Sequence, residues 1–394
     1  MDDLPGKDVS PWIDTTPETD YPTLNGDVEC DVAIVGAGIT GLLTAWYLQA
    51  EGLNVVVVEK SRMVEATTGN TTAKLTSQHY LIYDYLINNQ GIDVARAYAT
   101  ANQNAINEIE ELSKKLNIDC DFSRRDAYVY TKNRSSVADI KKEVQAATKL
   151  GLPASFETSI GLPFEVNGAI KFANQAQFHP RKFLLGIAKK LTIKNVRIFE
   201  NTRATNIIPG PKNILETEKG RITAKYIVQA TRYPFWQADT FKSAVWAKLS
   251  YALGVRLKNI SQYPQGMYIT TDVPSRTIRS HPYKKDQLMI FGGESHKMEG
   301  GGNYDQHFIN LIDDLHTKFD VSEVTYHWLA SDVMSHDRMP YIGEFPDYPN
   351  IYVATAYSAW GLAWATAASK IMTNQIMGRP DKWAEPFGLS RLMK

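Results

Sequence analysis

CDVAIVGAGITG, residues 30–41, decides the fold. Residues 30–35 form a near-continuous apolar run, as a parallel strand covered on both faces requires. Three glycines follow at G-x-G-x-x-G spacing, and residues 39–50 continue as a helix that Gly52 ends. Residues 53–59, LNVVVVE, are rich in β-branched valine and read as the next parallel strand, giving a right-handed β–α–β crossover. In that setting Gly36 permits the tight turn, Gly38 leaves room for a pyrophosphate and Gly41 lets the helix lie close to the sheet. The first helical amides, at Ile39 and Thr40, face the diphosphate. Glu59 ends the second strand where a ribose hydroxyl needs an acceptor, with Lys60 beside it. A carboxylate there repels a 2′-phosphate, so an NADP-type ligand is disfavoured while FAD and NAD both remain.

The chain has 394 residues, more than one core usually organises, so two domains are expected. Lysine plus arginine and aspartate plus glutamate each total 43, so no overall field draws the chain to nucleic acid or anionic lipid. Cys30 and Cys120 are the only cysteines and build neither a thiol redox centre nor a cysteine-ligated iron–sulfur cluster. That usage fits a reducing compartment. The acidic start, MDDLPGKDVS, lacks a secretion pattern, and no apolar stretch is long enough to span a membrane, so a cytoplasmic protein is expected. The histidines are scattered without ligand spacing, so no metal site is expected.

Residues 1–27 read as an irregular lead-in and 61–79 as a threonine-rich loop. Helical spacing covers 88–116, 137–150 and 179–191, and strands are expected near 128–131, 196–200, 213–218 and 225–230. Residues 249–294 alternate strand-like pieces with Pro and Gly turns, which suggests a mostly antiparallel sheet. The end returns to α/β character, with a strand at 351–355 and a small-residue-rich helix at 362–377.

Five stretches carry a likeness to a known group. They are DVAIVGAGITGLLTAWYL from Asp31, TTGNTTAKLTSQH from Thr67, FHPRKF from Phe178, GMYITTDVPSRTIRS with LMIFGGESHK from Gly266 and Leu288, and DRMPYIG with NIYVATAYSAWG from Asp337 and Asn350. With them the chain resembles the D-amino acid oxidase-like superfamily of FAD-dependent oxidoreductases, which includes glycine oxidase, sarcosine oxidase and D-amino acid dehydrogenases. Within it the chain is most similar to a bacterial branch often joined to a Rieske domain. No Cys-x-His spacing is present, so that module is expected to be absent. The resemblance implies an α/β chain with a Rossmann-like FAD-binding domain at 1–85, 170–235 and 325–394. It also implies a second α+β substrate domain, on the mostly antiparallel sheet, at 86–169 and 236–324.

The resemblance further implies that an extended FAD is lined by Thr71, Thr72 and Ala73 where the chain crosses between domains. Thr205 lies near the adenine, and Ala230 and Thr231 end another strand. Gly361 and Leu362 present amides that stabilise the N1/C2=O edge of reduced flavin. Where relatives commonly carry glycine in the terminal motif, this chain has Ala356, Ala363 and Ala365. Where amino-acid oxidases place a carboxylate-clamping arginine, this chain has Asp332, which repels a carboxylate and attracts an ammonium. Either the substrate is an amine or its acid is held by a different arginine, for which Arg276 and Arg279 are the candidates. Lys74 is a candidate cation near flavin N5 or N1, His79 a candidate attachment point, His296 a candidate base, and Trp360 with Tyr357 a candidate roof. Packing or solvation is the ordinary role of each such residue.

The expected activity is FAD-dependent oxidation of an amine or amino-acid C–N bond by hydride transfer to flavin N5. The substrate is a small molecule, and a separate electron acceptor is possible. An NAD-linked dehydrogenase and a catalytically impaired flavin-binding structural or regulatory protein are the alternatives.

Overall fold

Val55, Val56, Val57 and Val58 are all buried, and they pair in parallel with the strand Val28–Val35, so the crossover joins the expected neighbours. A computed structural model describes residues 4–393. In it these strands lie inside an eight-stranded sheet ordered Tyr341–Phe345, Tyr348–Thr355, Gly220–Gln229, Val28–Val35, Val55–Val58 and Arg197–Phe199. The strands Asn213–Thr217 and Ala204–Ile208 extend it antiparallel from Gly220–Gln229. The helix Ile39–Ala50 starts directly after the glycine turn. A Cβ at Gly41 would stand 1.8 Å from the Gly36 carbonyl oxygen, so only glycine lets helix and turn approach this closely. The terminal helix Gly361–Ile376 packs beside it, where Ser369 Oγ donates to the Thr40 carbonyl at 3.0 Å. Its alanines make that approach possible.

A second sheet of ten strands is ordered Lys7–Asp8, Val321–Ser335, Val245–Leu257, Asp286–Lys297, Arg276–Tyr283, Met267–Thr270, Ser123–Thr131, Gly168–Gln177 and Lys74–Leu75, with Ala154–Glu157 also on Gly168–Gln177. It is mixed: seven of its nine strand pairings are antiparallel, whereas Lys7–Asp8 with Val321–Ser335 and Met267–Thr270 with Ser123–Thr131 run parallel. Those parallel partners are far apart in sequence, which local turn signals do not report. The strands Gly168–Gln177 and Val321–Ser335 both pair within this sheet, so the expected boundaries at 170 and 325 cut through strands. One face of the sheet is covered by the helix Tyr304–His316 through Phe308, Leu311 and Leu315. The other face, through Ala252, Ile290 and Trp328, shares a core with Ile34, Leu42 and Leu362 of the dinucleotide side.

The lead-in is more ordered than its composition suggests. Ser10 caps a short helix, Pro11–Asp14, whose Trp12 is 0% exposed, because an indole of that size is costly to leave in water. Residues 1–3 of the lead-in lie outside the described residues. The helical stretch expected at 88–116 divides into Tyr83–Gln90 and Ile92–Lys115 at Gly91, whose φ is +91°. Among the described residues no helix is long and apolar enough to cross a membrane.

Candidate functional site

A cavity of ≈ 1110 Å³ runs between the two sheets. It exceeds the roughly 300–1,000 Å³ usual for small-molecule sites, as a dinucleotide with a second ligand requires. Gly36, Gly38, Ile39, Thr40, Glu59, Lys60, Thr71, Thr72, Ala230, Thr231, Gly361 and Leu362 all line it. Two features suit a dinucleotide. The helices Ile39–Ala50 and Gly361–Ile376 both begin at the cavity, with no side-chain cap and no acidic residue in the first turn. Apart from a 3.3 Å hydrogen bond from Ile39 N to Thr68 Oγ1, these helix N-termini offer amides and partial positive charge to a diphosphate at one point and to an electron-rich ring edge at another. Glu59 is oriented by its own backbone contacts, accepting from Ala37 N at 3.0 Å and Ser61 N at 3.2 Å. It stands beside the glycine turn, where a ribose adjoins the diphosphate.

Lys74 lines the cavity at the start of its short strand, with no hydrogen bond or ion pair to its amine among the described contacts. Burial, joined by the charge of Arg279, pushes it down to about 7. A neutral amine and an ammonium are therefore both accessible near neutral pH. Trp360 lines the cavity and stacks on His79. His79 Nε2 lies 2.8 Å from the Thr76 carbonyl, which only accepts, so Nε2 carries the proton and Nδ1 accepts from Tyr98 Oη at 2.7 Å. Burial holds the ring neutral, down to about 3. Both nitrogens are engaged within the protein.

Four expected site residues lie elsewhere; Gly41, packed against the glycine turn, and Ala73 lie behind the wall rather than in it. Arg276 and Arg279 are three apart on one strand, so they point to opposite faces. Arg276 is bound by Asp314 at 2.7 Å and Glu294 at 2.9 Å under the helix Tyr304–His316. Arg279 faces the cavity side but is sealed off, its Nη1 donating to the Ala73 carbonyl at 2.6 Å and its guanidinium over the Trp12 ring. Neither arginine lines the cavity. His296 is on the far face, hydrogen-bonded to Tyr251 Oη at 2.9 Å and stacked on His307, while its neighbour Ser295 faces the cavity. Thr205 is exposed and donates to the Glu216 carbonyl at 3.2 Å; Arg203 and Ala204 line the cavity instead.

Asp332 does line the cavity, but it is not a lone anion. It is directly opposite Lys248 on the antiparallel neighbour strand, and Lys248 also lines the cavity. Burial raises Asp332, opposed by the charges of Lys248 and Arg232, while burial lowers Lys248 against the pull of Asp332. Among the described residues neither charged group has a hydrogen-bond partner. Ser250 and Ser295 join hydroxyls at 3.0 Å in the same wall, and Tyr80 hydrogen-bonds Ser275. Lys248, Ser250 and Tyr80 went unnoticed in the sequence. Alternation in VWAKLSYAL, with Lys248 and Ser250 on one face, was the available signal. The loop before the terminal helix holds Ala356, Ser358 and Ala359 at φ of 59°, 52° and 73°. Each is a left-handed conformation costing a non-glycine residue on the order of 1–3 kcal/mol, the kind of strain that gathers at ligand sites.

The fold and this cavity define a dinucleotide-dependent oxidoreductase. The chain matches the family described as FAD dependent oxidoreductase (DAO) over residues 31–375, and it belongs to that family. It is 33% identical to the Rieske-named iron–sulfur protein YhfW of Bacillus subtilis (strain 168), covering 96% of this chain and 75% of that protein. It is 22% identical to gamma-glutamylputrescine oxidoreductase of Escherichia coli (strain K12), covering 92% of this chain and 87% of that protein. Among solved structures it superposes on glycine oxidase from Geobacillus kaustophilus with a TM-score of 0.77 at 18% identity, covering 92% of this chain and 99% of the other. L-proline dehydrogenase from P. horikoshii gives 0.77 at 16% identity, covering 94% and 99%. The dinucleotide is FAD, which sets aside the NAD-linked alternative, and the chain is an FAD-dependent oxidoreductase.

Proposed function

We propose that this enzyme oxidises the C–N bond of a small amine or amino acid. The bound flavin supplies the two-electron acceptor, and the chain supplies binding, orientation and proton handling. The observation that carries the reading is the charged wall. Lys248 and Asp332 face each other across two strands and open on the cavity that holds both helix N-termini. Asp332 suits an ammonium or amine nitrogen, and Lys248 suits a carboxylate, the part first expected of Arg276 or Arg279. An amine gives up a hydride only when it is neutral. Lys74, which exchanges its proton near pH 7, can accept the proton that the substrate ammonium must lose. The names of the gamma-glutamylputrescine and glycine enzymes, which each describe an amine or amino-acid substrate, agree with this assignment.

Anaerobic photometry with compounds of matched length tests it. An alkylamine, an α-amino acid, an ω-amino acid and an α-hydroxy acid are each added to the flavoprotein. Bleaching by the nitrogen compounds and not by the hydroxy acid is expected. Fastest bleaching by the hydroxy acid contradicts the reading.

A further inference from the structure

The segment that carries Thr71, Thr72 and Lys74 into the cavity is held from behind by side chains that touch nothing in the cavity themselves. Ser10 Oγ donates to the Gly69 carbonyl, Trp328 Nε1 to the Asn70 carbonyl at 3.0 Å, Trp12 Nε1 to the Thr71 carbonyl at 2.7 Å and Arg279 Nη1 to the Ala73 carbonyl at 2.6 Å. Four of five consecutive carbonyls are thereby fixed by side chains from three separate parts of the chain. The holding groups also hold each other, because the Arg279 guanidinium lies 5.3 Å from the centre of the Trp12 ring. Ser10, Trp12 and Arg279 are all buried. Ala73, at the end of the series, sits at φ +58°, a conformation a non-glycine residue keeps only when its surroundings impose it.

Ser10 and Trp12 precede residue 31, where the family match begins. We infer that the stretch around Trp12 is a cofactor-positioning strap: with Arg279 it fixes the backbone of residues 69–73, and through it sets where Thr71, Thr72 and Lys74 meet the FAD. Trp12 and Arg279 are positioning residues, acting on the flavin only through that backbone. A carbonyl that loses its buried donor turns to find another, and the cavity-facing side chains turn with it.

The test uses the holoenzyme with Trp12→Phe, which keeps a ring beneath Arg279 but removes the N–H, and with Ser10→Ala, a smaller change. Far-UV circular dichroism selects folded protein. The readouts are visible-region circular dichroism of the flavin, which reports ring placement, and FAD release on dilution. The strap predicts an altered visible band and release at least about fivefold faster in both folded variants. If Trp12→Phe does not fold, Ser10→Ala alone decides. A folded variant with the wild-type band and wild-type release overturns the inference, since a residue serving only global stability leaves the folded protein's cofactor undisturbed.

Discussion

His79 and Trp360 stack face to face, with ring centroids 4.5 Å apart and planes 11° from parallel. His79 is fixed by two hydrogen bonds and is neutral, so it backs Trp360 as a rigid aromatic plate in the cavity wall. Replacing Trp360 by alanine opens the wall onto His79 and loosens substrate placement. Flavin reduction is expected to slow by about tenfold or more in Trp360→Ala and by no more than about threefold in Trp360→Phe, read by stopped-flow absorbance. Equal losses in both variants contradict a plate whose function is shape.

In the proposed reaction Lys248 and Asp332 divide the recognition of charge. Lys248→Met is expected to raise KM about 10–100-fold for a carboxylate-bearing substrate and to change KM for the matched alkylamine by less than about threefold, the range of a lost charge-assisted hydrogen bond. Asp332→Asn is expected to weaken both. Steady-state KM values for the two substrates in the two variants check this, and a Lys248→Met effect of equal size on the alkylamine speaks against it.

Lys74 predicts the pH dependence of the reductive step. In the proposed reaction its amine accepts the substrate proton, which it can do only when neutral, and burial together with Arg279 brings it down to about 7. The rate is low below that value, rises through it and levels above it. Lys74→Met is expected to erase this limb and lower the plateau by 10²–10⁴-fold, the usual contribution of a positioned base. A limb that survives the substitution belongs to another group.

Acid should destabilise the fold through three buried imidazoles. Burial is the first cause that lowers His79 and His179 to about 3 and His281 to about 4. In the unfolded chain they take up protons near 6.5, so between about pH 6.5 and 4 the unfolded state holds more protons than the native one. Stability therefore falls as pH falls through that window, by up to about 1.4 kcal/mol per pH unit for each ring. His281→Phe, which keeps the edge contact with Trp12, is expected to flatten the slope of Tm against pH between 6.5 and 5. An unchanged slope assigns the acid lability elsewhere.

The cofactor half of the cavity was readable because its information is local. Gly36, Gly38, Gly41 and Glu59 fall within one crossover of fewer than forty residues, and their spacing carries the geometry. The substrate half was not local. Lys248 meets Asp332 only through the register of two strands far apart in sequence, and residues without a motif give no sign of such a register. Arg276, Arg279 and His296 were chosen for their chemistry, but side-chain alternation decides which face each serves, and one bulge or partner strand changes the count. Trp12 was passed over because a Pro- and charge-rich lead-in reads as irregular, although a single buried indole can order it.

A single-turnover experiment tests the central claim most directly: oxidised holoenzyme is mixed without oxygen with one equivalent of the nitrogen substrate that bleaches it fastest, and the quenched products are identified by mass. The account predicts one carbonyl compound and one released amine or ammonia for each flavin reduced. Flavin that bleaches while the carbon–nitrogen bond survives intact in every product contradicts it.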